Sequence, residues 1–253
     1  MTPARKNGRS RRGAQAGGSL VDAAIEAVTR HIREQNLRVG DALPGEASLA
    51  AQLGVSRAVM REAFGALAAL NVIDVANGRR ARVAALNGSV MATSLDHAMS
   101  TAQITVSEVW DVRRTIEVRT AALAAACRTS EEADHIMNLA DSIAASGNDL
   151  AVRTRHDIAF HEAIARASHN ALFVQIVASF GTLMEVAVPA AWRTRTAKRQ
   201  LRSIIGHHQA VARAIRAGDP EAASAAMSAH FDESVGDLLK VSHQVASHRV
   251  IED

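Results

Sequence analysis

Cysteine is nearly absent. Cys127 stands alone in 253 residues, which rules out an intrachain disulfide. No signal-peptide-like apolar segment follows the N-terminus, and together these features place the chain by default in a reducing cytoplasm. Aromatic residues are only 3% of the chain, so the core has to be built from alanine and aliphatic side chains, a composition that favours closely packed helices. A long uninterrupted apolar run is also missing. The nearest approach, 171–192, contains Gln175, Gly181, Glu185 and Pro189 and has no apolar companion elsewhere. It therefore reads as a buried central helix, not a membrane span.

What the chain does have is an uneven distribution of charge. Residues 1–83 hold 13 Lys/Arg against 7 Asp/Glu, a net of +6, while residues 84–253 hold 16 against 19, a net of −3. A basic first third joined to a mildly acidic remainder suggests a polyanion partner for one part and something else for the other. Residues 1–18 place Arg5, Lys6, Arg9, Arg11 and Arg12 among Gly, Ser and Gln, and are expected to form a disordered basic tail. Such a tail would add nonspecific DNA affinity without reading sequence.

Within 19–84, Ser19 can cap a helix whose Ile25, Val28 and Ile32 make a buried stripe. Pro44 and Gly45 then punctuate a loop, 46–53 make a short helix, Gly54 turns the chain, and Ser56 caps the next helix. Two short helices around a glycine turn are a helix-turn-helix candidate. On the second, Met60, Phe64 and Leu67 face inward, while Arg57 and Arg61 stack four apart near its start, where a recognition helix meets the major groove. The segment "NVIDVANGRRARVAAL" follows, and its Asn77-Gly78 between two β-branched runs predicts a hairpin with a type I′ turn. A hairpin in that place is a wing, and Arg79, Arg80 and Arg82 would carry its charge toward phosphates or the minor groove.

This stretch resembles the winged helix of the GntR family of bacterial transcription regulators, most specifically in "LPGEASLAAQLGVSRAVMREAFGALAALNVI". The resemblance implies operator contacts from Ser56, Arg57 and Arg61, with the wing at Gly78, Arg79, Arg80 and Arg82 entering next. Two departures stand out. Gly45 and Ala47 replace the usual Ser and basic residue beside the loop glutamate, and Arg80 replaces the second glycine of the usual wing.

Residues 85–90 read as a linker and 91–245 as an antiparallel all-α bundle, with 246–253 a tail. Thr105 and Glu108 form a capping box opening a helix to about Arg128. Ser130, Asn148 and Asn170 open the next three helices, and Pro189 ends or kinks the last of these. A further helix, from about Thr196 to Ala217, is followed by "GDPE", in which Gly218, Asp219 and Pro220 serve as C′, N-cap and N1. That tight turn makes its flanking helices antiparallel neighbours. The fold class expected is thus mainly α: a winged helix-turn-helix with a small β-hairpin wing, then a helical bundle.

His208 and His230 each lie eleven residues from Asp219, so both sit at one height, about 16 Å from the turn, and can face each other. Asp157 and His161, four apart on another helix, share an otherwise apolar face with Ile164 and Ala165. An Asp-x-x-x-His pair is common on its own. One carboxylate and three imidazoles together suit a first-row divalent metal: zinc first, with nickel or manganese also compatible. His156 and His207 point elsewhere around their helices, and His169 lies in a turn.

Residues 100–240 resemble the FCD effector domain of the FadR subfamily of GntR regulators, through "DIAFHEAIARASHN" and "HQAVARAIRAGDPEAASAAMSAH". The resemblance implies a metal held by Asp157, His161, His208 and His230, beside a pocket for a small carboxylate effector. It also implies a homodimer suited to a palindromic operator. Within "DVRRTIEVRTAALAA", Arg113 matches the position whose guanidinium faces the pocket; the alternatives are a surface Arg113–Glu117 pair, or Arg114 in that role. A ligand-responsive transcription factor is the leading expectation. A metal-dependent hydrolase, with Glu162 as a base, and a constitutive DNA-binding protein with a structural metal compete with it.

Overall fold

The computed structural model describes residues 12–194 and 197–249 and divides the chain into two compact units, 1–90 and 91–253. Residues 1–11 of the expected basic tail and 250–253 of the expected C-terminal tail lie outside the described residues.

In the first unit, α1 (Arg12–Glu34) begins seven residues before Ser19, so Ser19 lies inside the helix and does not cap it. Val28 is fully buried, with Ile25 and Ile32 packed beside it. The helix-turn-helix follows as read: α2 (Glu46–Leu53), Gly54 in the left-handed region at φ 66°, then α3 (Arg57–Ala69), capped by the Ser56 hydroxyl accepting from Val59 N at 3.2 Å. Met60, Phe64 and Leu67 from α3 close a core with Leu43, Leu49 and Ile73.

The wing pairs β1 (Ile73–Asp74) with β2 (Arg82–Val83), antiparallel, in the register Ile73 with Val83. The segment 39–43 adds a third edge: Leu43 N donates to Ala81 O at 2.8 Å, and Val83 N to Asp41 O at 3.0 Å. The expected two-residue type I′ turn is not what joins the strands. Arg79 N donates to Ala76 O at 3.2 Å, and only Gly78 of the central pair has positive φ, at 74°. One positive φ at the third turn residue fits a type II pattern, which requires glycine there and leaves Asn77 unconstrained.

The division between the units falls within α4 (Ser89–Ser100), which starts inside the expected linker, where Asn87 Oδ1 accepts from Ser89 N at 3.0 Å and caps it. Both nitrogens and oxygens of the Thr105–Glu108 capping box are engaged at the start of α5 (Val106–Cys127). Next come α6 (Ser130–Ala145), capped by Thr129, and α7 (Leu150–Ala167), capped by Asp149; in each case the cap is one residue from the one the sequence suggested. Asn170 caps α8 (Ala171–Ser179) as expected.

The apolar segment breaks in an unexpected place. It bends by 55° between α8 and α9 (Gly181–Thr194), and Pro189 lies inside α9. The Ser179 hydroxyl donates to Ile176 O at 2.7 Å, a back-bond that competes with the helical ladder, and Gly181 adds little helix propensity at the joint. Pro189 is tolerated because Glu185, whose carbonyl loses its helical donor, is on the exposed side. No single described helix is long and apolar enough to cross a membrane; the bent α8–α9 pair passes that test only when joined, and its Val177, Met184, Val188 and Trp192 are buried in the core. The chain finishes with α10 (Lys198–Ala217) and α11 (Pro220–Arg249), joined by Gly218-Asp219 as expected. The expected tail at 246–249 thus continues α11.

Candidate functional site

The helix order of the second unit brings one face each of α5, α7, α10 and α11 around a cavity backed by α9. From α7 come Asp157 and His161, one turn apart; from α10 comes His208, and from α11 His230. All four are buried, at 7%, 4%, 0% and 6% exposure. The equal-height expectation for the α10–α11 hairpin holds: the His208 and His230 rings are 4.4 Å apart between centroids, and His161 lies 5.2 Å from His230. One nitrogen from each of the three imidazoles falls within 4.8 Å of the others, close enough to share one cation. Asp157 reaches the cluster through Oδ1, 3.0 Å from His208 Nε2.

The surroundings of these rings fit a metal. His208 Nδ1 meets the Ile204 carbonyl at 2.8 Å while Nε2 meets Asp157. With an acceptor at each nitrogen, this ring calls for positive charge between it and Asp157, which a second ring proton or a bound cation supplies. His161 Nδ1 contacts Glu117 Oε2, which leaves its Nε2 for the cluster.

Glu117 is a site residue that sequence reading treated only as a surface partner of Arg113. It is 1% exposed, and its Oε1 accepts from Arg113 Nε at 2.7 Å, so the Arg113–Glu117 pair is real but buried. Burial alone would raise the Glu117 pKa; the neighbouring Arg113 and His161 outweigh it and lower the carboxyl from 4.5 to about 2. Asp157 behaves alike: burial opposes its charge, while the hydrogen bond and charge of His208 hold it at about 2. The signal for Glu117 was its position four and seven residues before Ala121 and Ala124, both fully buried on the same helix face.

Arg113 lines the cavity, with its guanidinium carbon 4.9 Å from the Trp110 ring centroid and Nη1 against Met184 Sδ. Arg114 does not: it ties α5 to α11 through Ser228 Oγ at 2.8 Å and Asp232 at 2.9 Å. Val188, Trp192, Ile204 and Phe231 complete the cavity wall, so apolar side chains stand beside the imidazoles and Arg113. His207 pairs with Glu233 and His169 with Glu132, both outside the cluster. Glu162, the base imagined for a hydrolase, pairs with Arg166 at 2.9 Å and is absent from the cavity lining.

In the first unit, Arg57 and Arg61 are exposed on the first turns of α3, and Arg61 makes only a loose 3.8 Å contact with Glu46. Arg79 and Arg80 are exposed at the wing tip beside Gly78. Arg82 is exposed as well, but its Nη1 donates to the Gly40 carbonyl at 2.5 Å, so it braces the wing base. The Ser56 hydroxyl is committed to its helix cap.

Comparison with known proteins agrees in both units. Residues 20–83 match the family model for bacterial regulatory proteins of the gntR family, and residues 108–233 match the FCD domain. The Glc operon transcriptional activator of Escherichia coli (strain K12) is 35% identical over 170 residues, 65% of this chain and 67% of that protein. The putative L-lactate dehydrogenase operon regulatory protein of the same strain is 32% identical over 84% of this chain and 83% of its own length. The fold is shared with the solved Streptococcus agalactiae GntR, at TM-score 0.64 and 23% identity, covering 84% of this chain and 97% of that one. These relatives are transcription regulators and not enzymes. The chain belongs to the gntR family of bacterial regulatory proteins, of the kind with an FCD domain, and is a DNA-binding transcriptional regulator.

Proposed function

We propose that this regulator senses a small carboxylate metabolite at a metal held by Asp157, His161, His208 and His230, and that it binds a palindromic operator as a homodimer. The observation that carries the proposal is the convergence of three buried imidazoles and a buried arginine on one cavity. Three nitrogens and a carboxylate oxygen suit zinc, with nickel and manganese compatible. A metal held there would supply a Lewis-acidic centre for effector oxygens. The protein's own groups orient its ligands: Glu117 fixes His161, and the Ile204 carbonyl fixes His208. Arg113, held at Nε by Glu117, would offer its terminal N–H groups to a carboxylate. FCD domains are known to bind metals, and two relatives are named for hydroxy-acid operons, L-lactate dehydrogenase and galactonate. On the DNA side, Arg57 and Arg61 would enter the major groove, with Arg79 and Arg80 on the flanking backbone.

The test begins with the metal content of the purified protein. Thermal shift against small carboxylic acids follows, then operator binding with and without each hit. Stoichiometric metal, a hit that raises Tm, and an altered operator affinity are expected. Metal-free protein whose melting is unaffected by His208→Ala would remove the metal assignment, and a hit without effect on operator binding would leave a constitutive binder.

A further inference from the structure

One residue of the cavity wall carries a donor that none of the roles above uses. Trp110, 6% exposed, lines the cavity, and its indole Nε1 is buried with no hydrogen-bond partner among the described residues. It precedes Arg113 by one turn on α5, so both project from the same helix face. Its ring is held on two sides: Phe231 packs edge-on at 6.2 Å, and the Arg113 guanidinium lies 4.9 Å from its centroid. The N–H is therefore fixed in direction. Arg113 has its Nε committed to Glu117, which limits what it alone can offer a ligand.

A buried donor without an acceptor costs about 1–3 kcal/mol, and phenylalanine would fill the same wall without that cost. An indole in this position is accounted for if a ligand brings an oxygen to it. We propose that Trp110 Nε1–H is a specificity-determining donor, and that it hydrogen-bonds a hydroxyl or carbonyl oxygen that the effector bears in addition to its carboxylate. This rests on the effector reading above. A site with such a donor binds the acceptor-bearing acid and disfavours its analogue without that oxygen, because the analogue leaves the indole unpaired.

Isothermal titration of the full-length, zinc-loaded protein with two matched pairs, glycolate against acetate and L-lactate against propionate, tests the proposal. The wild type should prefer the hydroxy acid of at least one pair. Trp110→Phe should lose about fivefold of that preference, the worth of one ordinary hydrogen bond. An unaltered preference, or an equal loss for both members of a pair, overturns the assignment. Should the variant not fold, the indole N–H proton resonance of Trp110 in the wild type decides: it must move on addition of the hydroxy acid and stay in place with the simple acid. If none of the four acids binds the zinc-loaded wild type, the carboxylate reading falls before any substitution is made, and the Trp110 assignment falls with it.

Discussion

Glu117 shows how much one buried carboxylate controls. Its two oxygens join Arg113, which lines the cavity, to His161 of the three-imidazole cluster. Replacing it with Gln leaves the Arg113 guanidinium buried beside a neutral group and releases the His161 ring. Metal affinity should fall about 10–100-fold, read by competition with a chelating dye. Its pKa is lowered from 4.5 to about 2 on folding, so its contribution to stability is complete above about pH 4.5 and is lost as pH falls toward 2. Denaturant titrations of metal-free protein at pH 6, 4 and 3 should show stability declining through that window, and Glu117→Gln should flatten the decline while starting from a lower value. An equally steep decline in the variant would locate the acid sensitivity elsewhere, with Asp157 the next candidate. The meeting of Asp157, His161, His208 and His230 was legible in the sequence because helical spacing and the symmetric turn at Asp219 fix their heights. Glu117 was not, because an Arg and a Glu four apart look the same on a wet face and in a core; only the alanines that follow it mark the face as buried.

Helices in this chain were legible where their ends carry side-chain chemistry. Thr105 with Glu108, Asn170, and Gly218-Asp219-Pro220 each fixed a boundary, since a cap is a local interaction. The break at 180–181 was not legible, because it depends on a buried Ser179 back-bond, while the more conspicuous Pro189 sits where solvent can satisfy the freed carbonyl. The start of α1 was missed for a related reason: Ser19 is a good cap in isolation, but the helix continues through it. The α10–α11 turn also has a support from outside its own sequence. Arg128, at the end of α5, donates from Nε to Ile215 O at 2.9 Å and from Nη2 to Arg216 O at 3.0 Å, capping the last carbonyls of α10. Gly218, at φ 73°, lies so near that an added Cβ would come within 2.9 Å of Arg128 Nη2. Gly218→Ala should therefore cost about 1–2 kcal/mol from the left-handed backbone alone, and more through displacement of the arginine. Arg128→Ala should also destabilise. The double variant should lose less than the sum of the two in chemical denaturation, because both remove the same cap. Strict additivity would mean that Gly218 acts only through its backbone.

A basic DNA-binding unit and a mildly acidic unit carrying the proposed effector cavity would place two binding equilibria in one chain under a single thermodynamic constraint. If an effector changes operator affinity by some factor, the operator must change effector affinity by the same factor, typically 5–150-fold in systems of this kind. Operator Kd measured with and without a saturating carboxylate hit, and the hit's Kd measured with and without operator, should give matching ratios in the wild type. His208→Ala, which removes one of the three clustered imidazoles, should bring both ratios to one together while leaving operator binding of the ligand-free protein intact. Arg61→Ala should do the reverse. It weakens specific operator binding more than nonspecific binding if Arg61 reads a base edge, and it leaves the effector's affinity for the free protein unchanged because the side chain lies in the other unit. Wild-type ratios of one would make the chain a constitutive DNA binder whose metal serves only the bundle. Loss of ligand-free operator binding in His208→Ala would give that metal a structural role, with sensing assigned to some other part of the cavity.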